Sequence, residues 1–489
     1  MRAAARRAAQ GLARRWIATN SPLLRQGTPP RGLDRLRLWT LNRVLEVVDR
    51  RFERQFQALL ECAVPNDAPR RHRPLLIALI GTLGPGGTER QLVNTLVGLK
   101  ARYVIDIEVI TMSLEDESKR FFLDTLKHAG IPVSRIDRSM GLVIPGDDSS
   151  EATQRLRYAV RTHLHPKLDH VSAYTSVFLS RRPDIVHLWL DDVNIKGGLA
   201  AALAGVPRIV LGMRSVNPSH FVLFQPYMRA AYRSLLRLPQ IVALNNSETG
   251  ARDYAEWLGC QPGRITVLRN GLCVDDSDPQ GVARAAAYRA RVNIPAGALV
   301  LGGLMRLSEE KRPLLWVEVA EAVAARCPDV FFLLVGDGVQ NTLVHARIAP
   351  SRFAHRFRCV GHEAQPYDSL LAMSVVFLSS LFEGSPNVLI EAQALGVPVV
   401  TMPAGGAIEV VDDGRTGWVV HDGSVASATE RIVHLMTHAD ELTAAAAAGP
   451  DWIRARFGLD RMIDETAAAY GGLPLAPRGR AEDPAQIGR

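Results

Sequence analysis

Short, mostly apolar runs that alternate with stretches of helical periodicity are the feature that most constrains the fold of this chain. A first series of runs occurs at 75–81, 106–112, 184–190, 207–213 and 240–246, and a second at 298–307, 330–338, 357–362, 374–380 and 397–403. Strands that are apolar on both faces are typical of parallel sheets covered by helices on both sides. Each series therefore predicts one doubly wound α/β domain.

The segment between the two series marks the expected domain boundary. Residues 271–297 are first acidic and then rich in Ala and Arg, without a strand-like run, so helix is expected there. We predict a basic, partly helical N-terminal extension at 1–73, α/β domains at 74–275 and 299–450, an inter-domain connection at 276–298, a C-terminal helix at 451–473 and a disordered tail at 474–489.

The positive charge of the chain is concentrated at its N-terminus. Residues 1–73 hold 16 Arg, no Lys and six acids, a net charge of +10, whereas the whole chain carries +8. The remaining body is nearly neutral and does not interleave basic with aromatic residues, which argues against a nucleic-acid binder.

Two parts of this extension have different patterns. Residues 34–62 show apolar residues at helical spacing, which predicts an amphipathic helix packed on the body. The first 20 residues are Arg-rich and free of acids, and three interpretations stay open: a helix attracted to anionic lipid, an untethered, partly disordered extension, and a mitochondrial-type presequence.

Cysteine spacing and hydropathy exclude several classes of protein. The five cysteines are scattered and never form a C-x-x-C pair, which argues against a disulfide framework and a zinc site and fits a reducing compartment. No apolar run approaches the roughly 18–20 residues of a membrane span.

The segment at 382–400 combines two carboxylates with an expected helix start. Glu383 and Glu391 stand eight positions apart, and Pro386 falls where a first helical turn is expected. Free backbone N–H groups at a helix start favour an anion such as phosphate, while carboxylates can accept hydrogen bonds from sugar hydroxyls. The alternative is a turn followed by an ordinary surface glutamate.

Basic residues and glycines follow other predicted strands. Arg306 and Lys311 lie after the first strand of the second series, at the strand end where such folds bind ligands; they suit a diphosphate or are two solvated cations. Gly336-Asp337-Gly338 ends another strand or forms a simple turn. The glycines at 81–87 do not have the G-x-G-x-x-G spacing, so a nicotinamide or flavin cofactor is poorly supported.

Together these motifs resemble the retaining, nucleotide-sugar-dependent glycosyltransferases of the GT-B fold, family 4. The resemblance covers about 74–470, and its most specific element is the pair Glu383 and Glu391 spaced as Glu-x7-Glu. The supporting matches are Gly86-Gly87-Thr88-Glu89, Asn270-Gly271, Arg306 with Lys311, Gly336-Asp337-Gly338 and Gly396-Val397-Pro398. The resemblance implies that the first domain binds the acceptor and the second binds the nucleotide sugar.

The resemblance also implies roles for individual residues. Glu383 would orient the transferred sugar, and Arg306 and Lys311 would stabilise the leaving diphosphate; these three form the catalytic set. The implied donor-binding set is Glu391 at the ribose, Asn387, Val388 and Leu389 at the phosphates, Gly384 and Ser385 in the adjoining turn, Val360 and Gly361 at the nucleobase, and Gly86 and Gly87 from the first domain.

One departure from the family concerns the acceptor side. The family commonly places a His after the strand that 207–213 represents, and this sequence has Arg214 there and His220 further on. Arg214, His220 or His187 could serve. No metal site and no cofactor are expected, because the nucleotide sugar is a co-substrate and Asp191-Asp192 is not a D-x-D motif.

The function that the resemblance implies is retaining, metal-independent transfer of a sugar, with a UDP-sugar favoured, to a glycan or lipid-linked acceptor in bacterial cell-surface polysaccharide biosynthesis. A cytoplasmic enzyme attached peripherally to the inner face of the membrane through its extension is expected. The alternatives are a GT-B nucleotide-sugar epimerase or hydrolase and a non-catalytic GT-B scaffold subunit.

Overall fold

The computed structural model describes residues 33–65, 71–137, 139–145, 150–273, 280–363, 366–471 and 475–477. The chain forms two compact units. Unit 1 contains the chain up to Asn245, Ala251–Thr266 and the chain from Glu465; unit 2 contains Asn246–Gly250 and Val267–Asp464. The first 20 residues and the tail after 477 lie outside the described residues, so the three interpretations of that N-terminus stay open.

Unit 1 is built on a seven-stranded sheet in the order β3-β2-β1-β4-β5-β6-β7. Its strands are β1 (Leu75–Ile80), β2 (Asp106–Thr111), β3 (Val133–Arg135), β4 (Ile185–Trp189), β5 (Arg208–Met213), β6 (Ile241–Asn245) and β7 (Ile265–Val267). Both β1 and β4 are buried along their whole length, as expected for parallel strands covered on two faces. Chain order reverses between β1 and β4, which run parallel.

The helices before and between these strands cover the sheet. They are α1 (Leu33–Leu60), α2 (Gly87–Arg102), α3 (Leu123–His128), α4 (Glu151–His163), α5 (His170–Arg181), α6 (Asp191–Leu203), α7 (Met228–Leu236) and α8 (Glu248–Leu258). A 3-10 turn at Pro218–His220 precedes α7.

Helix α1 packs on α7 and α4 as an added element of unit 1. Phe56 and Leu59 are fully buried, so the apolar face of α1 lies against the body. Asp49 pairs with Arg229 of α7 with both side chains largely buried. Burial raises the pKa of Asp49, although the charge of Arg229 opposes the shift. One turn further on, Glu53 pairs with Arg237 at 2.9 Å.

Unit 2 is built on a six-stranded sheet in the order β10-β9-β8-β11-β12-β13. Its strands are β8 (Val300–Leu304), β9 (Phe331–Val335), β10 (Phe357–Gly361), β11 (Val375–Leu378), β12 (Val399–Thr401) and β13 (Gly417–Val419). Its helices are α9 (Gly281–Arg291), α10 (Pro313–Ala324), α11 (Asn341–Ile348), α12 (Tyr367–Leu371), α13 (Asn387–Ala394), α14 (Val425–Thr437) and α15 (Ala439–Phe457), followed by α16 (Leu459–Ala469), which leads the chain back into unit 1.

The core of unit 2 has one layer on each face of this sheet. One contains Trp316, Phe332 and Phe377, and the other contains Leu333 and Leu389. The alternation of Phe332 and Leu333 between the two layers follows from the two-residue period of a strand.

The predicted fold class is confirmed: two doubly wound parallel sheets are present. Three strands of three residues each, β3, β7 and β13, were not predicted.

The prediction of one continuous C-terminal helix at 451–473 is wrong, because two helices, α15 and α16, meet at Gly458. The Leu272 N–H donates to Phe457 O at 2.7 Å and the Leu459 N–H donates to Leu272 O at 3.1 Å, so the backbone of Leu272 interrupts the helix at Gly458.

The helix expected in the inter-domain connection is α9, which packs against α12 within unit 2. Among the helices of the described ranges, none has the length and apolar character needed to cross a bilayer.

Candidate functional site

The carboxyl edge of the unit 2 sheet contains a topological switch point. Strand β8 lies between β9 and β11, so the chain leaves β8 on one side and returns to it on the other. Doubly wound folds bind ligands at such a point, where the connections from adjacent strands lead in opposite directions. The two loops at this point are 305–312, after β8, and 379–386, after β11.

These two loops are joined by hydrogen bonds. The Leu381 N–H donates to Glu310 O at 2.8 Å, and Ser379 Oγ donates to Lys311 O at 2.8 Å. The guanidinium of Arg312 donates to Ser379 O at 2.7 Å and to Ser380 O at 2.8 Å. Arg312 was not singled out in the sequence, where it is one more basic residue beside Lys311.

The site brings together two of the predicted catalytic residues. Lys311 Nζ donates to Glu383 Oε1 at 2.5 Å, and Ser380 Oγ donates to the same oxygen at 2.7 Å. Only 7% of Glu383 is exposed, so its charge needs these partners. Arg306 is exposed on the same loop as Lys311. Ser380, which the sequence analysis missed, lies three positions before Glu383.

The Gly-Asp-Gly turn after β9 supports the loop that carries Arg306. A Cβ at Gly336 would lie 1.8 Å from Met305 O, and one at Gly338 would lie 2.5 Å from Leu307 O. Gly336 also has a φ of +139°, which side-chain-bearing residues rarely adopt. The turn therefore needs glycine because the backbone of 305–307 passes directly over it.

The turn before α13 is held by hydrogen bonds from a residue that lies far from it in the sequence. The buried Asn270 side chain donates from Nδ2 to Ser385 O at 2.9 Å and to Asn387 Oδ1 at 2.7 Å. Arg461 in turn donates to Asn270 O at 2.8 Å. A Cβ at Gly406 would lie 2.2 Å from Gly384 O. Asn270 thus positions the start of α13.

The backbone at the start of α13 corrects one expectation. The Leu389 N–H donates to Pro386 O at 3.1 Å, so in this structure it is not directed to a phosphate. The amides of Asn387 and Val388 precede it in the first turn of α13. The Ser385 hydroxyl is buried and has no hydrogen-bond partner within the described ranges.

Two further donor-site predictions fall on the same edge of unit 2. Glu391 is 4% exposed within α13. Val360 and Gly361 end β10, and the Gly336 N–H donates to Gly361 O at 2.7 Å. The carboxyl ends of β9 and β10 are therefore tied together next to the β8 loop.

Gly86 and Gly87 belong to unit 1. Gly86 caps α2 in an extended conformation, and a Cβ there would lie 2.1 Å from Glu89 Oε2. They follow β1 at the switch point between β1 and β4, which is the equivalent position in the sheet of unit 1.

The three acceptor-side candidates, His187, Arg214 and His220, do not share one environment, and His187 lies in the core of unit 1. His187 is 3% exposed, its Nδ1 lies 3.0 Å from the hydroxyl of Tyr470, and its ring stacks on Trp189. Burial, aided by the charge of Arg214, lowers the pKa of His187 to about 3. His187 is thus a neutral residue of the unit 1 core, which corrects its assignment to the acceptor side.

Arg214 and His220 follow β5 and have different partners. The guanidinium of Arg214 lies 4.9 Å from the centre of the Trp189 ring, and burial lowers its pKa to about 10. His220 Nε2 lies 3.1 Å from Asp253 Oδ1. The two side chains therefore have separate surroundings.

Within the described ranges, no group of three or more His, Cys, Asp or Glu side chains is arranged to bind a metal ion.

Two doubly wound units, the second with a paired lysine and glutamate at its switch point, are the arrangement found in GT-B glycosyltransferases. Family models match both halves: the glycosyltransferase family 4 model matches residues 85–276, and the glycosyl transferases group 1 model matches 297–438. The chain belongs to this glycosyltransferase family.

Related proteins agree with this assignment. The Vi polysaccharide biosynthesis protein VipC/TviE of Salmonella typhi is 29% identical over 71% of this chain, and the match spans 62% of that protein. The 2-deoxystreptamine N-acetyl-D-glucosaminyltransferase of Streptomyces fradiae is 25% identical over 75% of this chain and 91% of that protein. The Anabaena Alr3699/HepE structure with UDP-glucose has a TM-score of 0.66 at 20% identity, covering 82% of this chain and all of that one; this likeness shows the fold.

Proposed function

We propose that this protein transfers a sugar from a UDP-sugar to a glycan or lipid-linked acceptor in the biosynthesis of a cell-surface polysaccharide. The observation that carries the proposal is the contact between Lys311 and Glu383 at the switch point of unit 2. This contact supports the proposal because a cation that suits a diphosphate lies beside a carboxylate that could accept hydrogen bonds from sugar hydroxyls.

The diphosphate would be bound by cations and by a helix start. An ammonium has three N–H donors, and Glu383 occupies one of those of Lys311, which leaves two for phosphate oxygens. Arg306, exposed on the same loop, would provide a planar fork. The backbone at Asn387 and Val388 would add the favourable end of the α13 dipole.

The sugar and the ribose would be held by the two glutamates. Both hydrogen bonds described for Glu383 end on Oε1, so Oε2 would accept from hydroxyls of the transferred sugar. Glu391, buried in α13, would accept from the ribose. Val360 and Gly361 would contact the nucleobase, and Gly86 and Gly87 would approach the donor from unit 1.

Catalysis would then consist of positioning the reactants and stabilising the leaving diphosphate. We propose that the transfer retains the anomeric configuration and requires neither a metal ion nor a cofactor, because Arg306 and Lys311 supply the charge that the leaving group needs.

The acceptor proposal draws on the relatives. One is a polysaccharide biosynthesis protein, and another, from Escherichia coli, is a galactosyltransferase that uses UDP-Gal and a diphosphoundecaprenol-linked sugar. The net charge of +10 in residues 1–73 supports peripheral attachment to an anionic membrane at its cytoplasmic face.

Product analysis with a panel of nucleotide sugars tests this proposal. Wild-type protein is incubated with each sugar, with and without a bacterial lipid extract and with EDTA, and products are identified by mass spectrometry and anomeric NMR signals. Transfer from a UDP-sugar in EDTA with retained configuration is expected. Release of free sugar alone, epimerisation, or no UDP binding would contradict the proposal.

A further inference from the structure

Unit 1 contains a cleft that the proposed sugar transfer does not use. Its volume is about 930 Å³, which falls in the size range of pockets that bind small molecules. Its walls are one face of α1, the C-terminal end of α7 and the turn that leads from α8 to β7. All of the lining residues belong to unit 1.

Arginine is the main charged residue of this cleft. The lining arginines are Arg50, Arg233, Arg237 and Arg264, and the lining acids are Glu46 and Glu53. Four arginines against two glutamates give these side chains a net charge of +2, so the cleft favours an anion. Guanidinium groups suit phosphate in particular, because their planar fork matches the spacing of phosphate oxygens.

Two of these arginines are held in place by main-chain carbonyl groups. The Arg233 Nε–H donates to Leu258 O at 2.7 Å, and Arg264 donates from Nη2 to Leu236 O at 2.8 Å. These carbonyl groups belong to the last residues of α8 and α7. The two guanidinium groups therefore cover helix C-termini that would otherwise repel an anion.

The other two arginines are exposed and keep donors for a ligand. Arg237 donates to Glu53 at 2.9 Å, and Glu53 also accepts from Arg233 at 3.4 Å, so one carboxylate is shared by two guanidinium groups. Arg50 donates from Nε to Glu46 O at 3.4 Å. A guanidinium has five N–H groups, and each of these bonds occupies one of them. Arg237 and Arg50 can therefore donate to a phosphate as well.

A thiol and apolar side chains complete the lining. Burial raises the pKa of the Cys260 thiol, although the charges of Arg264 and Arg233 oppose the shift. The thiol is therefore neutral near pH 7 and adds no negative charge to the cleft. Leu236 and Pro262 give it apolar surface beside the arginines, which suits the organic part of a ligand.

We propose that this cleft binds a phosphorylated small molecule, with its phosphate groups on Arg50 and Arg237 and its organic part on Leu236 and Pro262. Such a ligand would join α1 to α7. Because it would bind the folded protein and not the unfolded chain, it would stabilise unit 1 with α1 in place. The site is separate from the donor site and does not rest on the proposed function.

Protection of Cys260 from alkylation tests the proposal on the full chain. The protein is treated with N-ethylmaleimide, with and without ATP or inorganic triphosphate, and the modification of each cysteine is followed by peptide mass spectrometry. Both probes should slow the modification of Cys260, and ATP should act at the lower concentration because it also covers the apolar wall. Exposed Cys273 is the internal control, and its rate of modification should not change.

Substitutions of opposite charge effect test whether the arginines recognise the phosphate. Arg50→Gln and Arg237→Gln should each raise the ATP concentration for half-maximal protection about tenfold, whereas Glu46→Gln should lower it. The matched control is Arg51→Gln, which removes an exposed arginine of α1 next to the cleft-lining position and should have no effect. Because Arg50 and Arg237 are exposed, both variants should unfold at the wild-type temperature.

The same measurement on Arg306→Ala protein separates this cleft from the donor site. Cys260 reports on unit 1, so its protection by ATP should persist in that variant, and UDP titration reports on the donor site independently. Protection that is lost in Arg306→Ala would overturn the proposal.

Three further results would also overturn it. One is that neither probe slows the modification of Cys260. Another is that Arg50→Gln and Arg237→Gln are protected at the wild-type ATP concentration. The third is that Glu46→Gln weakens the protection.

Discussion

At the scale of single residues, the charged groups of the site are of two kinds: a largely buried ion pair and an exposed arginine. Lys311 and Glu383 are paired in a largely buried position, so removing either leaves the other without its partner. Arg306 is exposed. Its removal should therefore affect a bound diphosphate with little effect on folding.

Arg306→Ala is expected to weaken UDP binding about tenfold or more, because a charge-assisted hydrogen bond contributes about 1.5–3 kcal/mol. Isothermal titration measures the affinity, and thermal unfolding should be unchanged. Arg326→Ala, at an exposed arginine paired with Glu430, is the control. Equal UDP affinity in wild type and Arg306→Ala would remove Arg306 from the donor site.

The two glutamates should respond differently to the same change. Glu383→Gln should mainly lower kcat, since Oε2 would face the reacting sugar, while Glu391→Gln should mainly raise KM for the nucleotide sugar by weakening the ribose contact. Steady-state kinetics with each variant measures both constants. Small and equal effects on both would make the pair structural.

His187 predicts a dependence of stability on pH. The unfolded imidazole takes up a proton below about pH 6.5, whereas the folded one, with its pKa lowered to about 3, stays neutral. The unfolded state then binds more protons, so the free energy of unfolding should fall as pH falls below about 6.5. Denaturant unfolding of wild type and His187→Gln between pH 7 and 5 checks this. The free energy of unfolding should change less with pH in the variant than in wild type. Identical slopes would show that His187 is accessible to protons in the folded state.

At the scale of elements, the loops that follow neighbouring strands contact one another and so determine one another's conformation. The Gly336-Asp337-Gly338 turn has the backbone of 305–307 directly above it, and Arg312 ties the loop after β8 to the loop after β11. The position of Arg306 thus depends on a turn some thirty residues away in sequence.

Gly336→Ala is expected to displace 305–307 and to weaken UDP binding together with stability, because the new methyl would lie 1.8 Å from Met305 O. The control is Gly297→Ala, where a Cβ would have nothing within 4 Å. UDP titration and thermal unfolding of both variants test the difference. Normal UDP affinity in Gly336→Ala would mean that the turn does not position Arg306.

At the scale of the whole molecule, α1 is an integral layer of unit 1. Its buried Phe56 and Leu59 and its Asp49–Arg229 pair make it part of the core. A chain that starts at residue 33 should therefore fold and bind UDP, whereas one that starts at 61 should not keep unit 1 intact.

Asp49→Ala should destabilise the protein by about 3–5 kcal/mol, since it leaves Arg229 unpaired in a largely buried position. Glu46→Ala, on the exposed face of α1, should change stability by at most about 0.5 kcal/mol. Chemical denaturation followed by tryptophan fluorescence measures both. A stable Asp49→Ala variant would show that α1 is held by its apolar face alone.

The sequence alone determined the two doubly wound domains, and it singled out Lys311 and Glu383 themselves. Mostly apolar strands that alternate with helices have few other ways to bury both faces of a sheet. The Glu-x7-Glu pair is recognised from local spacing alone. The sequence did not determine the three-residue strands β3, β7 and β13. The equally short β12 lies within the apolar run at 397–403, whereas these three strands are not marked by such a run and become strands by pairing at the edge of a sheet.

Only the tertiary structure decided which polar residues are available for chemistry. His187 has the sequence context of a site residue, but Tyr470, some 280 positions away, covers it in the core. Arg312 has no signature in the sequence, and Asn270 was matched only as part of the Asn270-Gly271 motif, with no indication of its contacts. Both residues position the site because folding brings distant carbonyl groups within their reach. Burial and hydrogen-bond partners depend on these long-range contacts, and neither composition nor spacing encodes them.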